Sequence, residues 1–252
     1  MTTTAQTVST IKPRPVWQLF FGIIDQPVAT FRAIAAQSRW YVWAAPLLVL
    51  ILSLVVLLVV QTPHTLLLAR EQMEGQLATM PEDQAEAART GMGMAMSLPF
   101  MLATGIGFGA LALILATLAQ ATLLYFTALV SGGEMTFGAM FRMSVWSRLP
   151  MAIGALAQAG FIAIAGRMIE HPGLSFLVST GNLMQNTRNP LFVLLSGIDL
   201  FWLWHLLLVV LGVSVVARFG RGKSLALTVV YAGLSLGLTV LPTLLFGGMM
   251  AG

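Results

Sequence analysis

Cysteine is absent from the 252-residue sequence and charge is scarce. Without thiols there can be no disulfide, no thiolate nucleophile and no Cys-based metal centre. Charged residues make up 9% of the chain, against about 25% in a soluble domain. The three histidines, His64, His171 and His205, lie far apart in sequence. None has the His-x-x-x-His or carboxylate spacing that zinc chemistry needs, so neither a metal site nor a cofactor is expected. Nor is there a Gly-x-Ser-x-Gly elbow or a second intramembrane aspartate, which leaves no nucleophile-base pair and no acid dyad. No catalytic residue is expected. Gly105, Gly107 and Gly109 are not preceded by a strand or followed by Lys-Ser or Lys-Thr, so they do not make a phosphate loop.

What the chain has in abundance is apolar surface: 58% of residues are hydrophobic and the mean hydropathy is +0.88. One soluble core cannot hide so much, so lipid is the expected solvent, entered through helices of roughly 20 apolar residues. Five stretches qualify: 41–60, 102–129, 149–165, 200–217 and 224–246. The fold class that follows is all-α, a polytopic integral membrane bundle of about five spans. Residues 1–40 form a cytoplasmic segment and 41–252 the membrane domain. No cleaved signal is expected behind the polar MTTTAQTVST.

Orientation is read from the basic residues. An N-terminus inside the cell places Lys12, Arg14, Arg32, Arg39, Arg142, Arg148, Arg218, Arg221 and Lys223 on the cytoplasmic side. Arg70, Arg89, Arg167 and Arg188 fall outside, and this bias favours N-in, C-out. The net charge of +4 is spread too thinly to follow a phosphate backbone, so no nucleic-acid partner is expected.

Outside the spans, the loop 62–97 is polar and helix-prone, and Thr79-Met80-Pro81-Glu82 has the form of a capping box, predicting two short extramembrane helices. Two stretches carry an amphipathic stripe. In DQPVATFRAIAAQ, Val28, Phe31, Ile34 and Ala35 share a face; in GGEMTFGAMFRMSVWSRLP, Phe137, Met140, Phe141 and Val145 do. The stripes fit interfacial helices with Phe141 in lipid and Arg142 and Arg148 at anionic headgroups, or helices packed on the bundle.

The stretch GIDLFWLWHLLLVVLGVSVVAR places two ionisable groups at the fourth span. Asp199 sits where a carboxylate caps a helix start. His205, six residues on, points about 120° away from it. It shares a face with Phe201, Leu208 and Gly212, where a hydrogen bond across a helix contact is expected, and a functional charge is the competing reading. Gly105-x-x-x-Gly109 and Gly233-x-x-x-Gly237 read as close-packing faces.

The stretches GGEMTFGAMFRMSVWSRLP and NPLFVLLSGIDLFWLWHLLLVVLGVSVVARFGRGKSLAL, with DQPVATFRAI before the first span, resemble the bacterial branch of the YIP family. These are membrane proteins related to eukaryotic Rab-GTPase-interacting factors. The resemblance runs in order from about Asp25 to Leu241 and rests on Gly, Pro, aromatic and basic residues; the eukaryotic DLYGP motif is missing. It implies a five-span helical membrane protein acting through lipid or protein partners, and a bacterial inner membrane. The expected role is a non-enzymatic scaffold or organiser of the lipid bilayer and of a membrane or cytosolic protein, with self-association into a homo-oligomer left open. The alternative is a small transporter, channel or lipid-translocating protein that uses the polar groups of the fourth span. The candidate functional residues are Asp199, His205, Phe141, Arg142 and Arg148.

Overall fold

A computed structural model describes residues 14–93, 95–181 and 183–246, and no strand occurs among them. The helices are α1 (Val16–Asp25), α2 (Pro27–Ala36), α3 (Tyr41–Leu77), α4 (Glu82–Met92), α5 (Leu98–Val130), α6 (Phe137–Ser147), α7 (Leu149–Ala165), α8 (Leu183–Arg188), α9 (Pro190–Ser196), α10 (Leu200–Val216) and α11 (Arg221–Phe246). Four helical runs are long and apolar enough to cross a membrane: α3, α5, α6 continued into α7, and α11. The pair α9 and α10, bent by 66°, makes a fifth if counted as one span. The chain is therefore an all-α polytopic membrane bundle.

Three features differ from the sequence expectation. The helix that begins the first span does not stop near Val60; α3 runs unbroken to Leu77 through Pro46 and Pro63. Around Pro63 the Thr62 and Thr65 hydroxyls donate back to the carbonyls of Leu58 and Gln61, the kind of local bonding by which Ser and Thr help a helix tolerate proline. The capping box is not formed either. Thr79 turns its hydroxyl to the carbonyl of Gln76, Pro81 takes the N-cap position of α4 and no side chain caps it. Only α4 is a separate helix within 62–97.

The third difference is α6. It leads into α7 with only Arg148 between them, and it is inside the bundle, touching α2, α3, α5, α7 and α10. Met140, Met143, Val145 and Trp146 are fully buried. Its stripe is wider than a surface helix needs because small Ala139, Ser144 and Ser147 bury the neighbouring faces as well. At Gly212 of α10 a β-carbon would stand 2.5 Å from Met143 Cγ, so the missing side chain is what admits α6 to α10.

One end of the bundle is defined by short links. The turn after α5 meets the turn before α11, where Lys223 Nζ donates to the Ser131 carbonyl at 2.9 Å. The end of α5, the start of α6, the end of α10 and the start of α11 therefore share a level. Positions along these helices can be compared directly from it.

Candidate functional site

Counted from that level, Gln120 stands ten residues into α5, Tyr231 ten into α11, His205 eleven into α10 and Arg148 eleven along the α6–α7 run. At 1.5 Å per residue each lies about 15–17 Å deep, near the middle of a hydrocarbon layer about 30 Å thick. They meet there. His205 Nδ1 is 2.8 Å from the Ser147 carbonyl, and because a carbonyl only accepts, Nδ1 carries the proton. Nε2 then accepts, and the Tyr231 hydroxyl is 3.0 Å away. That hydroxyl also lies 3.2 Å from Gln120 Oε1, so one proton faces two acceptors. Gln120 Oε1 is already served by Arg148 Nε at 2.8 Å, whereas Nε2 has no other donor, which directs the Tyr231 proton to His205. Gln120 Nε2 donates to Ser147 Oγ at 3.1 Å, and Arg148 Nη2 to the Ala116 carbonyl at 3.1 Å. The cluster ties α5, α6, α10 and α11 together through mutually satisfied side chains.

Asp199 is not part of it. Its Oδ1 accepts from the Trp202 amide at 2.7 Å, at the N-cap of α10. Arg148 sits between α6 and α7 within this cluster, not in a loop, and its guanidinium is held by Gln120 and Ala116.

Nearer the common level, Arg142 is 92% buried with no carboxylate partner among the described residues. Its Nε and Nη2 donate to the carbonyls of Ile34 and Ala35 at 3.2 and 3.1 Å. These belong to the last turn of α2, where the dipole is negative and acceptors are under-used; Ile34 also accepts from the Gln37 amide at 3.3 Å. The guanidinium thus clamps α2 to α6, and Phe31 of α2 is fully buried against the gap at Gly212. Phe141, half-buried, packs its ring 5.9 Å from Trp43 and 6.4 Å from Phe137. The amphipathic stripes of α2 and α6 are packed on protein.

Trp146 makes a related bond. Pro46 has no N–H to offer the carbonyl four residues earlier, at Val42, and the Trp146 indole supplies it at 2.6 Å. Phe20 of α1 leans on the same ring, 4.8 Å between centroids. Pro46 and Trp146 are thus a matched pair.

The surface helix that sequence reasoning missed is α1. Leu19 and Ile23 are buried, whereas Trp17, Phe21 and Ile24 are 62%, 70% and 59% exposed. Their spacing of four and three puts all three on one outward face. The signal was present in VWQLFFGIID, which is apolar on both faces; it is too short to span a membrane and precedes a proline. Ser147 and Tyr231 were also missed, since a lone serine or tyrosine carries no pattern until partners are known. Among the described residues no group of three or more His, Asp or Glu is placed to hold a metal ion.

A helical bundle with spanning apolar helices, a polar knot at mid-depth and an aromatic helix on its flank defines an integral membrane protein. The Yip1 domain model matches residues 21–244, and the chain belongs to that family. Neither the curated proteins nor the solved structures contain a match to it.

Proposed function

We propose that this protein is a non-enzymatic organiser of membrane lipids and membrane partners, with its N-terminus cytoplasmic in a bacterial inner membrane. The bundle is a platform, and α1 with α2 is the working part held against it. The exposed face of Trp17, Phe21 and Ile24, opposite a buried Leu19 and Ile23, carries this reading. A helix apolar on both faces, too short to span and fixed to a bundle, suits insertion into one leaflet or into a groove of a second membrane protein. Removing Arg142 and Arg148 from the loops leaves seven cytoplasmic basic residues against four, so the N-in bias persists. The test is reconstitution of wild type and Phe21→Glu at equal density in liposomes, with vesicle size and shape read by electron microscopy. The organiser remodels vesicles and Phe21→Glu does not; identical vesicles from both would refute it.

One observation favours a second reading, a small transporter or lipid-translocating protein. The Arg148 guanidinium lies at the depth of His205 and bonds the Gln120 amide and the Ala116 carbonyl, with no carboxylate beside it among the described residues, and an intramembrane charge marks a candidate pathway. That reading requires flux across liposomes that His205→Ala abolishes. The mutual satisfaction of the cluster supports a structural knot instead.

A further inference from the structure

The geometry points to a binding site for a phosphate ester that carries an ammonium group, in the cavity between α2 and the end of α10. The cavity measures about 660 Å³ and is lined by Arg32, Arg218 and Glu134 with Val28, Ser214 and Phe219, a size usual for small-ligand sites. This deepens the organiser reading, because it names a headgroup chemistry at the membrane edge of the platform.

Two observations converge on it, and the backbone at Arg218 positions one of its arginines. Arg32 and Arg218 have no acceptor among the described residues, unlike Arg142, which the α2 carbonyls satisfy, and Lys223, which bonds Ser131. Arg218, with φ 56°, is the residue after the C-cap of α10, where the Phe219 amide closes the helix end on the Ser214 carbonyl at 3.1 Å; this left-handed cap fixes where its side chain leaves the backbone. Glu134 lines the same cavity without an ion pair to either arginine.

Two guanidiniums offer planar forks that match phosphate oxygens. A carboxylate beside them disfavours an anion that is only a phosphate. It favours one whose tail is an ammonium, so that both charges of a phosphoethanolamine group find partners. Such a group reaches the site as a lipid headgroup, with Val28 and Phe219 near its glycerol, or as a soluble phosphate ester.

The test uses the full chain in maltoside micelles and phosphate-free buffer. Glycerophosphoethanolamine and glycerophosphoglycerol are titrated calorimetrically; short-chain phosphatidylethanolamine and phosphatidylglycerol are scored by native mass spectrometry. Binding of the soluble ester together with the lipid, or of the lipid alone, supports a lipid source. Binding of the soluble ester alone supports a free metabolite. Arg32→Gln and Arg218→Gly each weaken binding about tenfold or more; glycine accepts the positive φ at 218, so the fold survives that change. Glu134→Gln removes the preference for ethanolamine over glycerol and leaves phosphate binding. Binding by neither form, or binding unchanged in both arginine variants, overturns the site. Phe21→Glu keeps the ligand, which separates failure here from failure of the α1 reading.

Discussion

The two ends of the bundle are built differently. Toward Ser131 and Lys223, α1, α2, α6 and α10 interlock around Trp146, Met143 and Phe31, and side chains answer backbone groups left open by Pro46 and by the end of α2. Toward α4 the helices α3, α5 and α7 still touch, as where Gly109 meets Leu54, but they enclose little. Neither apolar core cluster includes a buried residue between Ile51 and Gln120, and Phe108 is 71% exposed. The first end is packed against protein and makes its polar bonds internally; the second packs fewer side chains inward and leans more on its own helical bonds. Mutations should therefore be costly at one end and mild at the other.

The largest effect is expected at Trp146. Trp146→Ala removes a fully buried indole and should cost about 3–5 kcal/mol, read as loss of the folded peak in size exclusion and a collapsed melting temperature in detergent. A sharper version is a cycle: Trp146→Phe strands the Val42 carbonyl, and Pro46→Ala supplies a new N–H to it. Additive stabilities in the double mutant would show that the proline and the indole are not coupled.

Arg142→Ala comes next. It leaves the Ala35 carbonyl without its donor and Ile34 with only the Gln37 amide, a loss of about 1.5–3 kcal/mol, and the expected signature is local. Hydrogen exchange should rise across Pro27–Ala36 while α5 and α11 stay protected. Protection unchanged in α2 would deny the clamp.

The mid-depth knot should matter less than its burial suggests. Hydrogen bonds between membrane helices average about 0.6 kcal/mol, so Tyr231→Phe should lower the melting temperature slightly, and His205→Ala more, because it takes the imidazole donor from the Ser147 carbonyl and turns the Tyr231 hydroxyl back to Gln120. Equal effects would contradict the assignment of the Tyr231 proton to His205. The smallest effect belongs to Gly233→Ala and Gly237→Ala, where an added β-carbon meets nothing within 4 Å. Both should be neutral or stabilise by up to about 1 kcal/mol. A loss there would reveal a partner on α11.

Which parts were legible from sequence follows the same division. Long apolar runs announce lipid-solvated helices, so α5, α7 and α11 were visible within a few residues. Asp199 was readable as a cap because capping is local chemistry. The interlocked end was not, since an amphipathic stripe is identical whether it faces lipid or protein; only the structure shows Phe31 against Gly212. Of the glycine pairs, Gly109 does face α3, with Leu54 Cδ2 3.1 Å from a built β-carbon, whereas Gly233 and Gly237 face open space. Motif spacing alone does not distinguish them. The bond between Trp146 and Val42 spans 104 residues, and its one sequence trace is a proline inside an apolar run.

The central claim is that α1 rests on the bundle with its outer face in lipid or against a membrane partner. The natural absence of cysteine allows single cysteines at Leu19, Phe21 and Ile24 to be spin-labelled in liposomes and tested against oxygen, which partitions into lipid, and a water-soluble nickel chelate. Labels at 21 and 24 should be relaxed by oxygen and shielded from nickel, and the label at 19 should be immobile and shielded from both. Strong nickel relaxation at 21 and 24 would place α1 in water and contradict the account.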